Sequence, residues 1–196
     1  EAKTITQILS KINAVPLDKE IIVIDNCSID GTQQILRDIL KTVAFKHTRV
    51  IFHSYNKGKG ESVRRGIHEA SGEFVVIQDA DLEYDPKEYF KLLQPLTENK
   101  ADMTLGARFL SGHRGLLLHR WGNKFLTGIL NTLFVCNLND YATCYKCARR
   151  KTFLELNLKA KSFDIEVEIV CKMLKHRKRI LEVPIEYLPR SYSQGK

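Results

Sequence analysis

Three acids at alternate positions, Asp79, Asp81 and Glu83, follow the apolar run Phe74-Val75-Val76-Ile77. A run rich in β-branched residues reads as a buried strand. If the chain stays extended past Gln78, residues i, i+2 and i+4 project from one face. Three carboxylates then gather at the carboxyl end of a core strand, the edge where open α/β sheets bind ligands. Clustered oxygen ligands without nearby His or Cys suit a hard divalent cation, Mg2+ or Mn2+, that itself holds phosphates. The competing reading makes these acids solvated turn residues ahead of Pro86.

Comparable residues recur at other strand ends. Glu20-Ile21-Ile22-Val23-Ile24-Asp25 is a buried strand ending in an acid, and Asn26 to Thr32 is turn chemistry with helix-capping residues. Asn56-Lys57-Gly58-Lys59-Gly60 is a basic glycine loop, and the strand Ala101 to Ala107 ends at Arg108. If these strands are parallel, Asp25, Asp79-Ala80-Asp81 and Arg108 share one edge, bordered by the glycine loop. The set fits a sugar nucleotide. A carboxylate pairs with N–H groups of a base, the loop approaches the nucleotide, and a metal on the acids offsets the charge of a departing diphosphate. Asp140 is the candidate general base for a hydroxyl acceptor; its other reading is a turn cap. Lys57 and Lys59 read as nucleotide contacts or as a solvated pair, and Glu166 and Glu168 as ordinary first-turn helix acids.

The elements that position these residues alternate. A helix is expected at Ile5 to Ile12, with apolar residues at i, i+3, i+4 and i+7. Further helices are expected from Thr32 to about Lys41, from the glycine loop to about Ala70, and after Pro86, which suits a helix's first turn. With a short strand at Val50 to His53, four strands are each separated by a helix-length segment, predicting a parallel, doubly wound sheet with right-handed crossovers. From Ser111 the pattern changes. Trp121 to Leu138 reads as an unusually apolar helix, either packed on the sheet or partly laid into a membrane interface, and packing is expected for most of its length. Asp140 to Ala148 looks strand-like, Phe163 to Leu174 helical, and Ile180 to Tyr187 a terminal strand in which Pro184 is tolerated. Lys175 to Arg179 is a basic run, normally a solvated face, with membrane attraction as the alternative.

The totals bound these readings. A chain of 196 residues is long enough for one well-packed domain. The net charge of +8 suits an anionic partner, whether nucleotide, phospholipid surface or nucleic acid, without choosing among them. Five cysteines in no secreted-scaffold spacing are expected to be reduced, and Cys144-Tyr145-Lys146-Cys147 is read as a coincidental C-x-x-C. No apolar run approaches a membrane span and no signal peptide is visible. The chain opens on Glu1 directly into a helical pattern, and Gln194-Gly195-Lys196 has no terminating logic. A fragment trimmed at both ends is expected.

The ordered series Ile24-Asp25-Asn26-Cys27-Ser28-Ile29-Asp30-Gly31-Thr32, Asn56-Lys57-Gly58-Lys59-Gly60, Asp79-Ala80-Asp81-Leu82-Glu83-Tyr84-Asp85-Pro86 and Gly106-Ala107-Arg108 resembles the family 2 glycosyltransferases of the glycosyltransferase A fold. Later pieces resemble the dolichol-phosphate mannosyltransferase and polyprenyl-phosphate glycosyltransferase branch. They are Arg120 with Gly122-Asn123-Lys124, Asp140 with Cys144-Tyr145-Lys146, Phe163 with Glu166 and Glu168, Glu182-Val183-Pro184, and Tyr187-Leu188-Pro189-Arg190 before Gly195-Lys196. The resemblance covers essentially the whole chain. It implies an α/β, Rossmann-like, mostly parallel sheet whose first strand is missing. It also implies one glycosyltransferase domain over 1–196, with a nucleotide-sugar-binding half (1–110) and an acceptor-binding half (111–196).

The resemblance further implies residue roles. Asp25 contacts the base, and Glu1 is the last residue of a Pro-x-Tyr-Asn-Glu-like segment of the nucleotide pocket. Lys57, Gly58, Asp79 and Ala80 line the nucleotide sugar, and Asp81 with Glu83 holds the metal, Mg2+ or Mn2+. Arg108, Arg120 and Arg190 receive phosphates, as suits guanidinium geometry. Asp79, Asp81, Arg108 and Asp140 form the expected catalytic set. The branch often has Gln at Glu83 and Asp at Asn26. The implied reaction is an inverting transfer from a GDP- or UDP-linked sugar to a polyprenyl phosphate, dolichyl or undecaprenyl, at the cytosolic face of a membrane. An anionic membrane surface and no nucleic acid are the implied partners. The alternatives are a hydroxyl-acceptor enzyme of the same family, a nucleotidyltransferase, or a non-catalytic nucleotide-binding module.

Overall fold

The computed structural model describes residues 1–108, 110 and 117–189, the backbone alone at 117–121. In chain order the elements are α1 (Ile5–Ala14), β1 (Ile21–Asp25), α2 (Thr32–Ile39), β2 (Thr48–Phe52), α3 (Lys59–Glu69), β3 (Phe74–Val76) and α4 (Tyr89–Thr97). They continue with β4 (Met103–Ala107), α5 (Leu117–Phe134), β5 (Lys146–Arg149), α6 (Arg150–Glu155), α7 (Ile165–Lys175) and β6 (Ile180–Pro184). Helix α1 buries Ile5, Ile8, Leu9 and Ile12, the four positions its periodicity marks. Pro86 opens a 3-10 turn before α4, with Asp85 as its cap accepting from the Lys87 N–H at 3.0 Å.

The fold is α/β and mostly parallel across its crossovers, but its strands form two hydrogen-bonded sheets, and their order differs from the simple alternation. Strand β1 pairs in parallel with β2 from Ile21↔Thr48 to Asp25↔Phe52. The other four strands form the second sheet, in the order β3-β5-β4-β6. Strands β4 and β6 are parallel, whereas β5 lies between β3 and β4 and is antiparallel to both. The expectation of an uninterrupted parallel set is therefore corrected: β5 arrives late in the chain and inserts between two strands made early. Burial explains why it is central. Lys146, Cys147 and Ala148 are all inaccessible, and Tyr145 just before them is among the largest fully buried side chains. Because β5 is antiparallel, its start lies at the carboxyl edge of its neighbours.

Two glycines let the second half of the chain close on the first. A Cβ at Gly60 would sit 2.5 Å from the Ala160 carbonyl oxygen, and one at Gly58 2.1 Å from that of Lys161. Gly58 also has φ of 89°, a region that costs other residues strain. The glycine loop thus owes its glycines to backbone packing against 160–161, where the Glu61 N–H donates to the Lys161 carbonyl at 3.3 Å.

Helix α5 departs from the packed reading of the sequence. Thr127 and Leu130 face inward and are buried, while Phe125 is 70% exposed and Leu133 72%, with Leu126 and Ile129 exposed beside them. No helix among the described residues is long and apolar enough to cross a membrane. The basic run 175–179 precedes β6 and so lies at the opposite end of that strand from Tyr187. There Arg179 bonds both carboxylate oxygens of Asp102 at 3.3 and 3.4 Å, and Lys178 approaches Glu155 at 3.4 Å.

The glycine contacts predict a graded loss of stability. Gly60→Ala should cost about 1–3 kcal/mol, because a backbone carbonyl cannot yield as a flexible side chain does. Gly31, at φ 93° with nothing within 4 Å of an added Cβ, isolates the backbone effect. Gly31→Ala should cost about 1–2 kcal/mol. Gly58→Ala combines both effects and should lose the most. Urea denaturation of the three variants checks the order, and equal losses at Gly31 and Gly58 would refute the packing argument.

Candidate active site at the carboxyl edge of the sheet

Four charged side chains of alternating sign join four elements at this edge. The Lys59 ammonium, at the start of α3, lies 2.9 Å from Asp79 Oδ2 and 2.9 Å from Glu166 Oε1. Glu166, in the first turn of α7, also pairs with Lys146 at the start of β5. The Lys146 ammonium is fully buried and donates as well to the Thr143 carbonyl. Burial alone would drive the Lys59 pKa down, but the facing Asp79 carboxylate, with Glu166, holds it well above its usual value. Lys59 is therefore an ammonium throughout the physiological range. Sequence reasoning gave Lys59 no more weight than Lys57 and treated Glu166 as a first-turn acid. Lys57 instead has its ammonium 5.3 Å from the centre of the Tyr55 ring.

The acids of 79–83 do not share one extended face. Strand β3 ends at Val76, and Leu82 has φ of 66°, which turns the backbone between Asp81 and Glu83. Asp79 faces Lys59, and Asp81 Oδ1 accepts the Glu83 N–H at 3.1 Å. Glu83 points inward, is 9% exposed, and accepts from the Tyr187 hydroxyl at 2.7 Å. This loop, with Ala80 between the two aspartates, is pinned from behind. Gln78 Oε1 accepts from the hydroxyls of Tyr89 (2.9 Å) and Tyr145 (2.6 Å), and its amide donates to the Asp79 carbonyl at 2.8 Å. Tyr84 and Tyr187 pack with ring centroids 5.3 Å apart.

That geometry bears on a metal. Among the described residues no three His, Cys, Asp or Glu side chains converge on one position. The turn bond from the Glu83 N–H to Asp81 Oδ1 fixes the direction of the Asp81 carboxylate. One carboxylate fits Mg2+ or Mn2+ when the remaining oxygens come from a diphosphate and water. The two acids expected to hold the metal jointly have different surroundings: Glu83 is turned into the tyrosine cluster, whereas Asp81 caps the turn before it. Cys144 and Cys147 are both free and buried, and burial pushes both thiols up.

At the end of β4, Arg108 is held by Asp140. Arg108 Nε and Nη2 donate to the two Asp140 carboxylate oxygens at 2.7 Å each, and the Arg108 N–H donates to Oδ2 at 3.1 Å. Asn123 on α5 adds a fourth bond, at 3.0 Å to Oδ1. Desolvation would lower the arginine pKa, and the Asp140 bonds override it. Asp140 is fully buried. With both oxygens accepting charged or amide donors, it is not placed as a general base; it orients Arg108. The guanidinium also lies 5.3 Å from the centre of the Tyr187 ring.

Asp25, at the end of β1, is 4% exposed, and its Oδ2 accepts from the Ser28 N–H (3.2 Å) and the Gln33 amide (2.8 Å). It thereby organises the turn before α2. Asn26 ties this turn to the glycine loop: its Oδ1 accepts the Lys57 N–H at 2.8 Å and its amide donates to Asn56 at 2.7 Å. An aspartate there could not make the second bond. Glu1 sits beside the same turn, its amino group 2.5 Å from Asp30 and its carboxylate accepting from Thr4 at 3.0 Å. The Arg120 side chain and Arg190 lie outside the described residues.

Comparison with known proteins follows this geometry. Glycosyltransferase AglJ of Haloferax volcanii is 30% identical over 193 residues, spanning 97% of this chain and 60% of the relative. A dolichol-phosphate mannosyltransferase of Pyrococcus furiosus is 27% identical over 206 residues, spanning 100% of this chain and 56% of the relative. The chain thus spans about 60% or less of these relatives. Glucosyl-3-phosphoglycerate synthase of Mycobacterium tuberculosis, solved with Mn2+ and UDP-glucose, superposes with a TM-score of 0.74 at 22% identity, over 99% of this chain and 70% of that one. That likeness is one of fold, the glycosyltransferase A fold. The model of the family described as glycosyl transferase family 2 matches residues 1–156. The chain belongs to that family.

Proposed function

We propose that this chain is the catalytic part of an enzyme that transfers a sugar, with inversion, from a GDP- or UDP-linked donor to a polyprenyl phosphate at the cytosolic face of a membrane. The observation that carries the reading is the Arg108–Asp140 pair. A hydroxyl acceptor must lose a proton and needs a positioned base, whereas the buried Asp140 carboxylate is taken up by Arg108 and Asn123. A phosphomonoester arrives already ionised near neutral pH, so it needs a fixed cation and little water. Arg108 supplies the cation at the sheet edge that carries Asp79 and Asp81. Arg120 and Arg190 are assigned to phosphates from their positions in the sequence.

On the donor side, Asp25 and the Asn26–Asn56 bridge shape the nucleotide end, with Glu1 and Lys57 beside it. Asp79 and Ala80 line the ribose and diphosphate, and Lys59 meets the diphosphate as a cation already present. A Mg2+ or Mn2+ ion held through Asp81 would neutralise the leaving diphosphate. The exposed apolar residues of α5, with Lys124 beside them, support contact with an anionic lipid interface that also holds the acceptor's tail. The family relative named a dolichol-phosphate mannosyltransferase supports the same acceptor class.

A second reading is a soluble acceptor. The Mycobacterium tuberculosis synthase has been solved with phosphoglyceric acid, and an arginine can receive that phosphate while a hydroxyl attacks. The full-length protein with a panel of GDP- and UDP-sugars, Mg2+ or Mn2+, and either polyprenyl phosphate or phosphoglycerate distinguishes the two. A lipid-linked sugar formed only with metal supports the proposal. Transfer to the soluble acceptor alone, or no lipid-linked product in any combination, refutes it.

Two predictions follow from the assigned roles. Asp81→Ala should reduce product formation by about 10²- to 10³-fold, the scale of losing a main electrostatic stabiliser. EDTA should do the same to the parent protein, and full activity in either case would remove Asp81 from the metal role. Changing Phe125, Ile129 and Leu133 together to Ser should abolish sedimentation with anionic vesicles while leaving donor affinity in solution unchanged. Undiminished vesicle binding would show that α5 is not the contact surface.

A further inference from the structure

We infer that Asn123 of α5 and Glu182 of β6 are positioning residues that clamp Asp140 and, through it, fix the guanidinium of Arg108. The clamp ties the helix with the exposed apolar face to the arginine that receives the acceptor phosphate. The inference rests on the acceptor reading above.

Segment 138–140 is gripped from both sides. From α5, the Asn131 amide donates to the Leu138 carbonyl at 2.8 Å, and its Oδ1 accepts the Leu138 N–H at 2.9 Å. Asn123, eight residues earlier on the same inward side, donates to Asp140 Oδ1. These two asparagines are roughly 12 Å apart along the helix axis. From β6, the Glu182 carboxylate accepts the backbone N–H of Asn139 at 2.8 Å, that of Asp140 at 2.7 Å, and the Asn139 amide at 2.8 Å. Asp140 therefore has its backbone held by one element and its carboxylate by another. Its two oxygens then meet Arg108 Nε and Nη2 in a paired geometry that sets the plane of the guanidinium.

The two sides of α5 carry different duties. Phe125, Ile129 and Leu133 face outward, whereas Thr127 and Leu130 are buried and Asn123 and Asn131 bond the 138–140 segment. A shift of α5 reaches Asp140 directly, through the Asn123 hydrogen bond. Asp79, Lys59 and Glu166 stand in the loop after β3, on α3 and on α7, and among the described residues no hydrogen bond joins their side chains to α5, although α5 packs against α7. The clamp should therefore govern the acceptor and leave the donor alone, which a general structural role would not do.

The test uses the full-length protein with a short-chain polyprenyl phosphate in detergent micelles. Acceptor KM, donor Kd, thermal midpoint and the Arg108 Nε–H signal in nitrogen-15 spectra are read together. Asn123→Ala should raise acceptor KM about tenfold, the scale of losing a hydrogen bond to a charged group, with donor Kd within about twofold. Glu182→Ala should behave likewise, and Glu182→Gln, which keeps one acceptor oxygen, should restore most of the loss. In Asn123→Ala and Asp140→Asn the Arg108 Nε–H should exchange with water faster than in the parent. The inference is overturned if donor and acceptor constants change together, or if the Arg108 signal is unaffected in both variants. If the parent protein binds no polyprenyl phosphate, the acceptor reading falls and the Arg108 signal alone decides whether the clamp exists.

Discussion

Charge at a sheet edge can be buried only if it is paired, and the chain Asp79–Lys59–Glu166–Lys146 meets that condition with two acids and two lysines in alternation. Each member comes from a different element, so the pairing fixes the end of β3, the starts of α3 and α7, and the start of β5 relative to one another. The close approach of Gly58 and Gly60 to Ala160 and Lys161 belongs to the same requirement. Without it α3 would stand off from the segment that leads into α7, and Lys59 could not reach Asp79 and Glu166 together. Removing one member would leave its neighbour buried and uncompensated, which costs far more than the pair itself contributes.

The two cationic groups at this edge are built for different work. Lys59 is a point charge on a flexible stem, shared between two carboxylates, and an arriving diphosphate can compete for it. Arg108 is planar and held by both oxygens of one buried carboxylate, so its direction is set before any phosphate arrives. The lysine suits a ligand that must be admitted and released each turnover. The arginine suits a nucleophile whose angle of approach matters, because a displaced attacking atom loses much of the benefit of proximity. On the proposed reading, donor and acceptor functions are separated by side-chain type as well as by position.

Much of this was legible in the amino-acid sequence, because periodicity and strand-end chemistry are local. The four buried residues of α1, the strand ending at Asp25, the capped turn at Pro86 and the strand ending at Arg108 all follow from spacing, and the motif series pointed to the family. What was not legible depends on pairing across long separations. Lys59 and Glu166 are far apart in the chain, and nothing local marks Lys146 as their partner. The insertion of β5 between β3 and β4 is a fact of strand order that alternation cannot reveal. The three acids misled for a specific reason: one left-handed residue, Leu82, breaks the period of two that the extended reading assumed. Asp140 misled because its residue type fits a base or a cap equally well, and only its partners show that it serves an arginine.

The α5 helix shows why an apolar pattern alone underdetermines function. Its sequence carries more apolar residues than one packing face needs, and the surplus emerges as Phe125, Leu126, Ile129 and Leu133 on the outer side. A soluble acceptor would give this face nothing to do, since a phosphate and a few hydroxyls need no apolar contact. The proposed polyprenyl acceptor would need a surface on which its hydrocarbon stays out of water while its phosphate meets a cation. The basic run at 175–179 is poorly placed to supply that contact, being at the far end of β6 and engaged with Asp102 and Glu155. The helix that presents the apolar face also donates, through Asn123, to the carboxylate that orients Arg108. One helix thus carries the exposed apolar face on its outer side and, on its inner side, the amide that bonds the carboxylate paired with Arg108.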